Sequence, residues 1–217
     1  MPTGELIAFA EVIDTFARGE VDAHMVQVSL CEYLDAVAIR GRSISAVVGR
    51  TREPPLADVL TEGVALLMDG MRRTSRLRDL DLSISSERVV RLEGGGSIKP
   101  DVSIWRAGRL VAVIECKTNL GYSRTEWQQK YEERVSILSA GGLSATAVFL
   151  VVATETNWGG FPLDVRTGRQ WLALCERGTW FGGGKSREVP LSRGPRSGSI
   201  AALVTGVEAA ARSVELA

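Results

Sequence analysis

Apolar positions recur along this chain first at helical and then at strand spacing. Leu6, Ile7, Ala10, Ile13, Phe16 and Ala17 repeat every three to four residues, and Val21, Met25, Val28 and Val37 suggest a second helix beyond the Arg18-Gly19 break. The first forty residues therefore read as helical. Gly41 to Arg52 is short, polar and basic. Pro54-Pro55 can then start a third helix that carries Leu56, Val59, Leu60, Val64, Leu67 and Met71, and its C-terminal end holds Arg72, Arg73, Arg76 and Arg78.

From Leu80 the period changes. Leu82, Ile84, Val89, Val90 and Leu92 suggest extended chain before the Gly94-Gly95-Gly96 turn. Val102, Ile104 and Trp105 make a second strand, Ala107-Gly108 a tight turn, and Leu110 to Ile114 a third strand that is apolar on both faces, as in a buried central hairpin. Ser123-Arg124-Thr125-Glu126 has the form of a capping box, and Trp127, Tyr131, Val135 and Leu138 follow at helical intervals, so a helix is expected over Arg124 to Leu138. Ala147 to Ala153 reads as an interior strand, Trp171 to Cys175 as another, and Ile200 to Leu216 as a closing helix. This order predicts an α/β fold, a mixed β-sheet flanked by helices, with residues 1–52 as an N-terminal helical extension packed on a domain over 53–217.

Composition narrows the chemistry. With 217 residues, 26 basic against 26 acidic side chains and net charge +0, no whole-molecule field steers the chain onto a polyanion, so any nucleic-acid surface must be a local patch. The neutral balance fits a site-selective or homodimeric nucleic-acid binder better than an indiscriminate one. A sole histidine, His24, excludes sites built on several imidazoles and reads as a surface residue. Cys31, Cys116 and Cys175 are odd in number and far apart in sequence, so neither a disulfide framework nor a thiolate zinc site is expected, and a reducing cytoplasm fits. The segment Met1 to Gly19 lacks the basic n-region of a signal peptide, and no apolar run approaches the roughly 18 to 20 residues of a membrane-spanning helix.

The informative stretch is Lys99-Pro100-Asp101 and, further on, Glu115-Cys116-Lys117. Glu115 and Lys117 end an apolar strand, and a side-chain period of two points both to one face. A hairpin looping over Ala107 to Arg109 would pair Arg106 with Leu110 and set Asp101 opposite Glu115. Two neighbouring carboxylates in a buried sheet repel each other and lose solvation, so something positive must compensate. Lys117 supplies one charge. The oxygen donors also suit Mg²⁺, held by Asp101, Glu115 and the Cys116 backbone carbonyl, with Lys117 orienting an attacking water.

Pro100-Asp101 followed by Glu115-Cys116-Lys117 on the next strand resembles the signature of the PD-(D/E)XK nuclease superfamily, the restriction-endonuclease-like fold. The resemblance covers about the middle half of the chain. It implies an αβββαβ core and Mg²⁺-dependent hydrolysis of phosphodiester bonds, with Mn²⁺ as a substitute, in DNA and less often RNA. Many members add an acid on the helix before the sheet, for which Glu62 is the candidate, although Glu62 falls with Asp58 and Asp69 on the polar side of that helix. Several put a polar residue on the helix after E-x-K, where Gln128 is available beside Gln129 and Lys130. The Q-x-x-x-Y pattern of one branch is absent, because Trp127 stands four before Tyr131.

For DNA contact, Arg72, Arg73, Arg76 and Arg78 form the best patch and Arg40, Arg42, Arg50 and Arg52 a second; a solvated helix end is the competing reading. Trp158, Phe161, Trp171, Trp180 and Phe181 read as cover for the sheet edge more than as stacking platforms. Gly182-Gly183-Gly184-Lys185-Ser186 lacks the spacing of a phosphate loop. The expected function is a metal-dependent nuclease in a restriction, defence or repair setting; the alternative is an inactive nuclease-fold module that binds nucleic acid or a protein partner.

Overall fold

A computed structural model of the protein describes residues 4–47, 57–92, 96–118, 124–154, 170–175 and 195–214. Three helices lead: α1 (Gly4–Arg18), α2 (Ala23–Val47) and α3 (Ala57–Arg73). In α3 the apolar stripe Leu60, Val64, Leu67, Met68 and Met71 is fully buried, which is the face that its spacing selects. Helix α2 runs on to Val47, into the stretch read as short, polar and basic, and the Ser43 hydroxyl donates back to the Ile39 carbonyl at 3.0 Å.

The strands are β1 (Leu82–Ser86), β2 (Val90–Arg91), β3 (Ser97–Ile98), β4 (Val102–Arg106) and β5 (Arg109–Lys117), then β6 (Val148–Thr154) and β7 (Gln170–Cys175). Helix α4 (Arg124–Ala140) lies between β5 and β6, and α5 (Ser199–Ser213) follows β7. The main sheet has the order β1-β4-β5-β6-β7, antiparallel across β1, β4 and β5 and parallel across β5, β6 and β7. The fold is thus α/β with a mixed five-stranded sheet flanked by helices. The extended run expected from Leu82 to Leu92 divides in two. β1 joins the main sheet, Glu87 follows it with φ at 52°, and β2 pairs only with β3 in a separate small ribbon.

The β4–β5 hairpin turns on two residues, not three. Ala107 and Gly108 both have positive φ, 48° and 77°, as a primed hairpin turn requires. Arg106 therefore pairs with Arg109 and Trp105 with Leu110, one residue away from the expected register. A bulge between Ile104 and Trp105 takes up Val111 and restores the alignment, so that Ile104 meets Ala112 and Val102 meets Ile114. Extended by one residue, that register sets Asp101 level with Glu115.

Side-chain alternation assigns the helices to faces. The Cys116 side chain meets Thr61 of α3, and Phe149, level with Ile114, meets Gly206 of α5. Glu115 instead meets Arg134 of α4, and Tyr131 of α4 sets its ring edge on Trp171 of β7, 5.4 Å between centroids. α3 and α5 thus cover one face of the sheet and α4 the other. Phe9 and Ile13 of α1 and Leu30 and Leu34 of α2 belong to the same cluster of buried side chains as Leu67 and Val113, so the N-terminal helices share the core of the sheet domain.

Candidate functional site

The end of the central hairpin brings Asp101, Glu115 and Lys117 together. Asp101 precedes β4, where the chain enters the main sheet, and its Oδ2 accepts the backbone N–H of Cys116 at 2.7 Å and the Lys117 ammonium at 2.9 Å. The same ammonium lies 3.8 Å from Oε2 of Glu115. One cation therefore stands within salt-bridge range of both acids. Glu115 is almost wholly buried, and its other oxygen accepts from Arg134. The charge balance that the sequence leaves to a metal ion is supplied inside the protein, by Lys117 and Arg134.

These environments set the protonation of the site. Burial pushes the Glu115 carboxyl above the usual carboxylate range, and the neighbouring Asp101 charge adds to the rise, while Arg134 and Lys117 oppose it. The Cys116 thiol is pushed well up by burial.

Asp101, Cys116 and Lys117 open on a groove of about 1070 Å³ between α1, α3 and the edge strand β1. Its lining includes the apolar Ile7, Val59 and Ile84. Among the described residues its rim is acidic: Glu11, Asp58, Glu62 and Glu87 border it, and Lys117 is its one basic side chain. Glu115 is withdrawn from this groove toward α4.

The remaining sequence candidates are less concentrated. Glu62 is exposed at the groove and accepts a hydrogen bond from Tyr33 at 3.2 Å, in keeping with the polar side of α3. Gln128 donates to Glu132 one turn along the exposed side of α4. Among the described residues, no group of three or more Asp, Glu, Cys or His side chains is gathered so as to hold a metal ion. Arg72 pairs with Asp69 at 2.7 Å, Arg73 with Asp14 at 2.7 Å, and Arg76 with Glu208, so three of the four arginines offered to phosphate are neutralised by the chain's own acids. Arg78 is exposed. Arg40 pairs with Glu5. Arg50, Arg52, Trp158, Phe161, Trp180, Phe181 and the stretch 182–186 lie outside the described residues, while Trp171 is buried under Tyr131.

Arg134 is the residue that the sequence reading missed. It stands three residues after Tyr131 and four before Leu138, both buried, so it falls beside the apolar stripe of α4. An arginine in that place needs an acid, and Glu115 is the buried acid that the facing strand provides.

No family model matches the chain, and neither a curated protein nor a solved structure matches it. Among the described residues, no helix is long and apolar enough to cross a membrane.

Proposed function

We propose that this protein is a divalent-metal-dependent nuclease of the PD-(D/E)XK type, with a restriction-endonuclease-like fold, hydrolysing phosphodiester bonds with DNA as the expected substrate. The observation that carries the reading is the Lys117 ammonium, 2.9 Å from Asp101 and within reach of Glu115, at the mouth of a groove. The donor chemistry fits Mg²⁺ or Mn²⁺: both hydrogen bonds that the Asp101 side chain accepts fall on Oδ2, Oδ1 takes none among the described residues, and the Cys116 carbonyl is a further oxygen, with Glu115, turned toward α4 and paired with Arg134, as the acid beside it. When bound there, such an ion supplies Lewis-acid stabilisation of a phosphoryl oxygen. Lys117 orients the attacking water by hydrogen bonding and offsets the negative charge that grows on the phosphate. Arg134 holds Glu115 in place from the opposite face of the sheet. Asp101, held by the Cys116 N–H, fixes the position of the Lys117 ammonium.

Incubation of the protein with duplex, single-stranded, branched and modified DNA and with RNA, under Mg²⁺, Mn²⁺ or chelator, tests the reading. Cleavage that needs metal and falls by about 10²–10⁴-fold in Asp101→Ala and Lys117→Ala supports it. Cleavage that survives chelation or both substitutions is incompatible with it.

The acidic rim and the ion-paired arginines favour a second reading, a nuclease-fold module that takes a basic protein segment in place of nucleic acid. Its signature is the absence of cleavage on every substrate, the absence of DNA retention, and salt-sensitive binding of a lysine-rich peptide.

A further inference from the structure

Cys31 on α2 and Cys175 at the end of β7 are 144 positions apart in the chain, and their sulfurs are 2.9 Å apart in an interior where both residues are fully buried. The separation in sequence, which argued against pairing, is closed by the way α2 packs on the sheet edge. That seam is held by other bonds. Gln27, one turn before Cys31 on the same face of α2, donates its amide to the Leu174 carbonyl at 2.5 Å and to the Arg196 carbonyl, and its oxygen accepts from the Ile200 N–H at 3.2 Å. The Ser199 hydroxyl donates to the Ala173 carbonyl at 2.6 Å. The two thiols are thus held face to face by groups that do not depend on them. Their spacing exceeds the disulfide bond length of about 2.05 Å by about 0.9 Å.

We propose that Cys31 and Cys175 are a site of oxidative modification, a dithiol that hydrogen peroxide closes to a disulfide, stapling α2 to β7. In the first step one sulfur attacks peroxide, becomes a sulfenic acid and releases water. In the second the other thiol sulfur displaces that hydroxyl, which leaves as water with the thiol proton, and the S–S bond forms. The two sulfurs together lose two electrons and peroxide is reduced to two waters. The contact with Cys175 and burial hold the Cys31 thiol in its protonated form, so closure is slow and quickens as pH rises. Cys116, against Thr61 on α3, stays a thiol. The inference does not depend on the nuclease reading.

The test uses the full-length protein, purified reduced and then treated with hydrogen peroxide beside a cysteine-containing control peptide. The expected product is a monomer whose intact mass is lower by about two hydrogens, with a Cys31–Cys175 link in the non-reduced peptide map. Thiols titrated after denaturation fall from the three of the reduced chain to one. The thermal midpoint rises by roughly 5–15 °C and returns on reduction. Cys116→Ala keeps the link, whereas Cys31→Ser and Cys175→Ser each lose it. Three thiols surviving prolonged peroxide treatment at alkaline pH, well past complete oxidation of the control peptide, overturn the proposal. So does a gain of oxygen without a link, a link through Cys116, or a disulfide between two chains; each is read on the wild-type chain, so none depends on the variants folding.

Discussion

The four charges at the end of β5 act as one group. Asp101 and Glu115 are each held by a cation, and Lys117 is shared between them. Removing Arg134 leaves a nearly buried carboxylate with a more distant partner. Because Arg134 is itself partly exposed, the cost is expected below that of a fully buried pair, about 1–3 kcal/mol, measured by urea denaturation at pH 8. The loss should shrink as pH falls through the raised folded value, since a protonated Glu115 needs no counter-charge. The pH dependence of the wild type follows from the same carboxyl. Its folded pKa lies above the unfolded value of about 4.3, so the fold prefers the protonated acid. The stability it contributes is full below that unfolded value and is lost as pH rises through the raised folded one. Glu115→Gln should flatten this part of the stability profile, and an unaltered slope would show that Glu115 is not its source. A period of two and the hairpin bring Asp101, Glu115 and Lys117 to one end of the strand, but not to the one shared face that they predict: Glu115 turns to Arg134 of α4, while Asp101 and Lys117 open on the groove beside α3. Arg134 was not legible in the sequence, since its partner lies on another element and only packing brings α4 over that face.

At the level of elements, close approach of helix to helix and helix to sheet sets what the core tolerates. A Cβ at Gly206 in α5 would lie 2.7 and 2.9 Å from the ring of Phe149 on β6, nearer than carbon atoms pack. Alanine at this position gains about 0.5–1 kcal/mol of helix propensity and costs about 1–3 kcal/mol in overpacking, so Gly206→Ala should destabilise by a net of about 1 kcal/mol and by no more than about 2.5 kcal/mol, read from the denaturation midpoint. Gly70→Ala in α3 should behave likewise, because its Cβ would strike the Ile13 side chain of α1. The apolar spacing predicts a helix over Arg124–Leu138 and α4 spans Arg124–Ala140, the capping residue Ser123 lying outside the described residues, while β5 gains four residues beyond the apolar run that marked it. The hairpin register was less legible. Whether the turn holds two residues or three, and whether a bulge follows, depends on how the strands twist against their neighbours, and here the bulge at Val111 compensates for the shorter turn.

For the molecule as a whole, α1 and α2 behave as part of one core. Phe9, Ile13, Leu30 and Leu34 are fully or almost fully buried among side chains of the sheet domain. A fragment beginning at residue 53 should therefore lose cooperative unfolding and expose apolar surface, monitored by circular dichroism and dye binding; a fragment that melts sharply would mean that α1 and α2 are dispensable. The order of elements and the identity of the central strand were written in the chain, because side-chain period and turn residues act over a few neighbours. The acidic groove, the ion pairs of Arg72, Arg73 and Arg76, the Arg134–Glu115 contact and the meeting of Cys31 with Cys175 were not. Each joins positions far apart along the backbone, and no local pattern records which distant side chain a folded surface will bring alongside.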